Sequence, residues 1–597
     1  MAENEDSEPV EDGAAVSKVE RIKAASNHLR GHIAEELSAP AEPFSEESAQ
    51  LLKFHGVYQQ DDRDRRKEAR ARGADKHWQM MIRTRIPGGV VTPEGYLAHD
   101  DIAQRWGNGT IRVTTRQAIQ LHGVLKGDLK DTIRGISESL LTSLGGCGDQ
   151  ERNILCCPAP EGGKFRSEVN RFLASLVGEL GARTGAYHEI WIDGELADGG
   201  IPPGEEEPLY GETYLPRKFK TAIAIEGDNC VDVYSNDLGL VAMRGREGGL
   251  AGVNLVVGGG LGRTANKPET FPTVAVPLAF VEPGQAVAAA RAVVTVQRDF
   301  GDRQNRRHAR LKYLIHDRGV DWFRERVQER LDFRLQPPRP MTWTPVDDHL
   351  GWHRQQWGRP RAGFAEHGRQ AGRPPSNQSG ELYYGLYVEN GRIKDEDGYR
   401  LRSALRTLVE ELRPVLHLTP QQNVILVGLK PAQKERVEEV LREHGVPLSE
   451  EVSNTVRHSL ACPAYPTCGL AVAESERAMP SLIRQIEAMV ADLGLAGERI
   501  SYRMTGCPNG CARPYLGDVG FVGTTLGKYD VFLGGDFDGT RLNELFARNV
   551  PLKEIPALLR GPLAAFAEER TPGEGFGDWC HRSGVATLRE RFLERVA

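Results

Sequence analysis

Four cysteines give the C-terminal part of this chain its densest concentration of ligand chemistry. Cys462 and Cys468 stand in ACPAYPTCG, and Cys507 and Cys511 in TGCPNGCARP, so the spacing is Cys, five residues, Cys, 38 residues, Cys, three residues, Cys. Thiolates from two loops can enclose a metal centre, and all-cysteine ligation suits an iron–sulfur cluster or zinc. Pro508 and Gly510 predict a tight turn between the last two cysteines, whose backbone N–H groups can hydrogen-bond sulfur. Structural zinc favours gaps of about two to four residues, so gaps of five and three point towards a cluster and leave zinc open. Disulfides are disfavoured by the odd total of nine cysteines and by an acidic start, MAENEDSEPVEDGAA, with no apolar leader. Cys147, Cys156, Cys157, Cys230 and Cys580 show no pairing pattern and read as ordinary buried thiols.

The elements that position these cysteines are legible through a duplication. Arg112 to Gly123 reads RVTTRQAIQLHG and His417 to Gly428 reads HLTPQQNVILVG. At a constant offset of 305, Thr114 meets Thr419, Gln117 meets Gln422, Leu121 meets Leu426 and Gly123 meets Gly428. Each copy alternates like a strand and precedes a helical pattern. The same offset pairs Arg152 with Arg457, Cys157 with Cys462 and Pro158 with Pro463. Two homologous halves follow, related by a pseudo-two-fold axis, with a shared cleft suited to a large cofactor. Residues 15–40 have helical spacing and read as a helical arm, and the Gly, Pro and Arg-rich stretch 346–379 reads as an exposed connector.

At 597 residues the chain is long enough for roughly three or four domains of ~100–200 residues, with cores that need no disulfide staples. Its 76 basic and 83 acidic residues give a net charge of −7, which excludes a generally basic nucleic-acid coat. No stretch approaches the ~20 apolar residues of a membrane span. A soluble, cytoplasmic chain is expected, with no nucleic-acid or membrane partner.

The cysteine blocks resemble the four-cysteine signature of the sirohaem- and [4Fe–4S]-containing sulfite and nitrite reductases. SNHLRGHIAEEL, KFHGVYQQDDRD, RIPGGVVTPEGY, TYLPRKFKTAI, VGGGLGRT, QRDFGDR and GEGFGDW extend the likeness over nearly the whole chain. Within that family the chain looks most like the haemoprotein (beta) subunits of assimilatory NADPH-dependent sulfite reductases. The resemblance implies an α+β, pseudo-two-fold duplicated fold, with ferredoxin-like half-modules and two larger mixed α/β domains around a central cofactor cleft. The expected division is a leader and helical arm at 1–77, half-repeats at 78–146 and 380–448, a first mixed domain at 147–345, the connector at 346–379, and a second mixed domain at 449–597.

Carried onto matching positions, the resemblance makes Cys462, Cys468, Cys507 and Cys511 the cluster ligands, with Cys511 bridging to the sirohaem iron. It makes Arg83, Arg152, Lys218 and Lys220 the basic pocket for sulfite, a small dianion whose reduction to sulfide takes six electrons. Arginine grips an oxyanion with two prongs, and lysine offers a compact charge that can relay protons. Lys220 stands where related ferredoxin-linked nitrite reductases tend to have asparagine, which favours sulfite. Arg112, Arg116, Gln120 and His122 alternate along the first repeated strand and would share one face. The resemblance places them at the sirohaem, together with Arg310.

VVGGGLG, from Val256 to Gly262, has the look of a dinucleotide turn, but no helix pattern opens after it. It reads instead as tight backbone packing near the cofactor. Electrons would then arrive from another protein, a flavoprotein carrying FAD and FMN, with ferredoxin as the alternative. The reading outside this class is a non-catalytic, zinc-stabilised binding protein.

Overall fold

Each copy of the repeat folds as a hairpin. Ile111–Val113 pairs antiparallel with Ile119–Val124, and Val415–Leu418 does the same with Val424–Leu429. The sequence predicts one alternating strand in each copy, and the difference lies in the turn. Gln117 and Gln422 take left-handed φ values of 50° and 71°, each with its N–H bonded to the carbonyl of the threonine three residues earlier. The Thr114 hydroxyl accepts from the N–H groups of Arg116 and Ala118, and the Thr419 hydroxyl from that of Asn423. A threonine that satisfies turn N–H groups, followed by a residue tolerating φ above zero, reverses the chain. Arg116 therefore sits on a turn, away from the strand residues Arg112, Gln120 and His122.

The computed structural model describes residues 16–39, 43–183, 190–192, 195–198, 207–345, 347–355 and 381–593. The start of the leader and most of the 346–379 connector lie outside them.

The two hairpins build two five-stranded sheets that exchange their edges. One runs in the order Val57–Asp61, Trp78–Arg83, Ile119–Val124, Ile111–Val113, Arg392–Ile393. The other runs Gly351–Arg354, Leu382–Leu386, Val424–Leu429, Val415–Leu418, Val90–Val91. Each takes its last strand from the opposite half. The approach is close at two reciprocal glycines: a Cβ on Gly89 (φ 75°) would lie 2.5 Å from the Leu418 carbonyl, and one on Gly391 (φ 76°) 2.3 Å from that of Val113. Only glycine combines that dihedral with that contact. One apolar core runs through both sheets, joining Ile82, Tyr96 and Leu121 to Leu405, Leu426 and Val437.

The larger modules also repeat. The strand order Leu155–Cys156, Thr221–Ile225, Leu238–Arg244, Leu250–Val257, Val276–Val281 recurs as Ser459–Ala461, Tyr502–Thr505, Val519–Thr525, Lys528–Leu533, Glu544–Pro551. In both sheets the first three strands are parallel and the later ones antiparallel. Helix Ala286–Phe300 covers the first sheet with Ala289, Val293 and Val296 at helical spacing; Met479–Asp492 covers the second with Leu482, Ile486 and Met489. The architecture is α+β, as the family resemblance implies.

The N-terminal region departs from a simple arm. Its helical stretch is two short helices, Lys18–Ala24 and Ile33–Ser38, broken where Asn27, His28 and Leu29 adopt positive φ and Leu29 turns into the core. Val57–Asp61, within the same region, pairs with Trp78–Arg83 as a sheet strand.

Candidate active site

The cysteine loops meet because two parallel strands end side by side. Ser459–Ala461 and Tyr502–Thr505 are neighbours, so Cys462 and Cys507 leave the same sheet edge. Cys462 Sγ accepts the Gly506 N–H at 3.4 Å. Arg63, from the strand–helix link of the N-terminal region, donates to the carbonyls of Cys468 (3.1 Å) and Ala471 (2.6 Å) and stacks over the Tyr465 ring at 3.8 Å. Burial and the neighbouring cysteines raise the thiols of Cys462 and Cys468 and push that of Cys507 up to about 12. Such crowded thiols await a cation, which would deprotonate them. Among the described residues, no three of the four sulfurs lie within 4.8 Å of one another. Thiolates sharing one zinc at about 2.3 Å stand about 3.8 Å apart, so this wider set fits a cluster better than a single ion.

Cys511, the exposed member, opens onto a basic pocket. With Asn509 and Gly510 it lines a cavity whose other walls include Arg116, Lys218, Lys220 and Arg310. Thr115, on the hairpin turn, ties to the Cys511 carbonyl at 3.1 Å. Arg116 is anchored through Asn236 Oδ1 (2.9 Å) and the carbonyls of Asn153 and Thr221, while its Nε has no partner. Arg310 grips Asp237 with two bonds of 2.9 and 2.8 Å, and Asp237 also accepts the Lys220 backbone N–H. Neither the Lys218 nor the Lys220 ammonium forms a hydrogen bond or ion pair among the described residues. Burial and the charges of Arg116 and Arg310 bring Lys220 down to about 7; burial, Arg217 and Lys220 carry Lys218 well below its usual range.

Beside this pocket stands a second basic group. Arg83 and Arg152 both reach the Gly146 carbonyl at 3.5 Å, and Arg83 contacts Cys147 Sγ at 3.2 Å. Arg83 faces Gln120 across the sheet and hydrogen-bonds its amide oxygen at 2.6 Å. Arg152 is fixed by the Gly148 carbonyl at 2.7 Å and bonds to Tyr58. Its charge acts on both Lys218 and Arg116, so the two groups form one electropositive region.

Arg112 and His122 stand apart from the pocket lining. Arg112 is fully buried, paired with Glu476 and bonded to the Ala461 carbonyl at 2.8 Å, one residue before Cys462. Both ring nitrogens of His122 are buried without a partner.

VVGGGLG is backbone packing, with no dinucleotide turn. A Cβ on Gly259 would lie 2.1 Å from the Tyr234 carbonyl, and one on Gly262 3.3 Å from that of Asn509. Lys312 pins the loop through the carbonyls of Gly260 and Gly262.

The description "Nitrite and sulphite reductase 4Fe-4S domain" matches residues 179–335 and 453–597, and "Nitrite/Sulfite reductase ferredoxin-like half domain" matches 74–139 and 375–444. The chain belongs to the nitrite and sulphite reductase family. Among its relatives, the sulfite reductase [NADPH] hemoprotein beta-component of Staphylococcus saprophyticus is 43% identical, with 96% of each chain covered. The sulfite reductase [ferredoxin] of Synechococcus elongatus is 42% identical over 96% of this chain and 90% of its own. The Mycobacterium tuberculosis NirA protein shares the fold at a TM-score of 0.74 and 23% identity, with 98% of each chain covered. No described helix is long and apolar enough to cross a membrane.

For a member of this family, the unpartnered donors test whether a polycarboxylate macrocycle fits. Arg116 Nε and the two lysines supply hydrogen-bond capacity at the pocket that the protein leaves unused, and the His122 ring, kept neutral by burial and nearby guanidiniums, adds one unpartnered N–H outside the lining. They fit such a group, and the spread sulfurs fit a cluster. The sequence reading missed Tyr58 and Cys147 beside the arginines, and Asn236, Asp237 and Arg513 around the pocket. Only Asp237 left a signal. It precedes a strand as Asp518 does in the other half, and each accepts the N–H of a residue just before the preceding strand, Lys220 or Ser501.

Proposed function

We propose that this chain is the sirohaem- and [4Fe–4S]-bearing subunit of an assimilatory sulfite reductase, converting sulfite to sulfide with six electrons. The observation that carries this reading is a single pocket in which Cys511 shares walls with Lys218 and Lys220, two ammoniums with no partner of their own. Cys462, Cys468, Cys507 and Cys511 would hold the cluster, and Arg112, Arg116, Gln120, His122 and Arg310 would position the macrocycle. Arg112 would act from behind, through the Ala461 carbonyl. When bound, the coupled sirohaem and cluster supply the electron store and the iron to which sulfite ligates.

The protein's own groups do the rest. Arg83 and Arg152 hold the oxyanion with charge-assisted hydrogen bonds of roughly 1.5–3 kcal/mol each. Lys218 and Lys220 neutralise its second charge and polarise the S–O bonds. The three oxygens leave as water, so protons must arrive repeatedly. Lys220, poised at about 7, can give a proton at neutral pH and regain it.

A flavoprotein that takes electrons from NADPH is the donor we favour, because several relatives at 42–44% identity are named NADPH-linked hemoprotein components. Ferredoxin is the second reading, favoured by the equally similar ferredoxin-named relative. Nine free cysteines suit a reducing compartment, and we place the reaction in the cytoplasm. The test is sulfide release from sulfite by the coloured holoprotein with reduced methyl viologen, repeated with each protein donor. A colourless protein, or one that reduces nitrite but not sulfite, would overturn the reading.

A further inference from the structure

The pseudo-two-fold that builds the active site also builds its mirror. On the first strand of each mixed sheet the offset is 305, carrying Cys157 onto Cys462. On the next two strands the registers give a constant offset of 281, from Thr221 to Tyr502 and from Leu238 to Val519. The loop between those strands has no gap, so Cys230 falls on Cys511 and Asp228 on Asn509. The position of Cys507 is taken by Glu226, and the loop that carries Cys468 has no counterpart in the first half, where the next helix already begins at Gly163. Half of the four-cysteine set thus persists in the first half of the molecule.

These residues meet in space. One ligand atom from each of Cys157, Asp228 and Cys230 lies within 4.8 Å of the others. Cys157 Sγ is 2.8 Å from Asp228 Oδ2 and hydrogen-bonded to the Cys230 thiol. Asp228 is held by the Cys230 N–H at 2.8 Å, and the Cys230 carbonyl by Gln421 at 2.7 Å. Both cysteines are buried and Asp228 is half-buried. Cys230, alone of the three, also lines a cavity, together with Asn229 and Gln421.

We propose that Cys157, Cys230 and Asp228 form a mononuclear zinc site, with water from the cavity as fourth ligand. Two thiolates and a carboxylate cannot hold a four-thiolate cluster, but they match the thiolate, carboxylate and open-position chemistry of zinc. Two thiolates, one carboxylate and Zn²⁺ leave one negative charge. The neighbouring Arg166 balances it: the residue is 6% exposed, and its guanidinium bonds to the Cys157 carbonyl at 2.7 Å and keeps Nη1 without a partner. Its charge acts on both cysteines. Binding would release the two thiol protons to solvent and involves no electron transfer.

The test is metal analysis of the holoprotein after growth with zinc and dialysis against a weak chelator. About one zinc per chain is expected, with a zinc-edge absorption spectrum showing two sulfurs at about 2.3 Å and lighter ligands at about 2.0–2.2 Å. In the Cys157→Ser/Cys230→Ser double variant zinc should fall on the order of ten-fold or more, while iron content and the visible spectrum stay unchanged. A wild-type protein without zinc, zinc lacking sulfur ligands, or a Cys157–Cys230 disulfide in the intact protein would each overturn the site. The wild-type measurements decide the matter even if the double variant does not fold.

Discussion

Lys220 is a cation held close to losing its proton, because burial and two guanidiniums oppose its charge more than Cys511 and Asp237 support it. Below about 7 it is an ammonium that attracts an oxyanion; above, it is neutral and the attraction is lost. With nitrite, whose own titration lies far below this range, kcat/KM, which follows the free enzyme, should therefore decline as pH rises through neutrality. Lys220→Arg keeps the charge at all accessible pH and should remove that limb; a limb that stays in place would show that Lys220 does not cause it. Lys220→Asn removes the charge, and turnover of doubly charged sulfite should drop on the order of 10²–10³, more than turnover of nitrite. Equal losses measured side by side would refute the charge-based preference.

At the scale of elements, the pocket is shaped by backbone that leaves no room for side chains. The loop after Leu250–Val257 lies so close to Tyr234 and Asn236 that a methyl on Gly259 would meet their carbonyls at 2.1 and 2.6 Å. Backbone cannot move aside as a flexible side chain could. Gly259→Ala should cost about 1–3 kcal/mol or more of stability and displace the Asn236 carboxamide that anchors Arg116. The expected readouts are a lowered unfolding midpoint and a shifted cofactor absorption band, and a variant with wild-type values of both would contradict this packing argument.

Across the whole molecule, the halves are joined by exchanged edge strands and by a fully buried carboxylate. Asp100, on helix Pro93–Arg105, accepts from Arg402 at 2.7 and 3.1 Å and from Arg406 at 2.7 Å, both on helix Leu401–Leu412 of the other half. Removing one member of a buried charge pair is costly because the partners stay behind uncompensated. Asp100→Ala should lower unfolding free energy by about 3 kcal/mol, discounted from larger values because Arg406 is partly exposed. Denaturant titration with an unchanged slope checks this, and a loss below about 1 kcal/mol would mean that this ion cluster contributes little to joining the halves.

Much of this protein is written in one dimension. The fixed offset between repeats and the four cysteines are properties of order along the chain, and they were enough to indicate a duplicated molecule with a cluster-like ligand set, while the family resemblance supplied the α+β fold. What sequence could not supply was the company each residue keeps. A threonine turn folded an apparent strand into a hairpin and sent Arg116 to the pocket while Arg112 went to Glu476. Tyr58 and Cys147 reached Arg83 and Arg152 from separate segments, and Cys157 met Cys230 across 72 intervening residues. Charge pairing and desolvation depend on contacts between segments distant in sequence, and those contacts exist only in the folded chain, some within one half, as for Cys157 and Cys230, and some between the halves, as for Arg112 and Glu476.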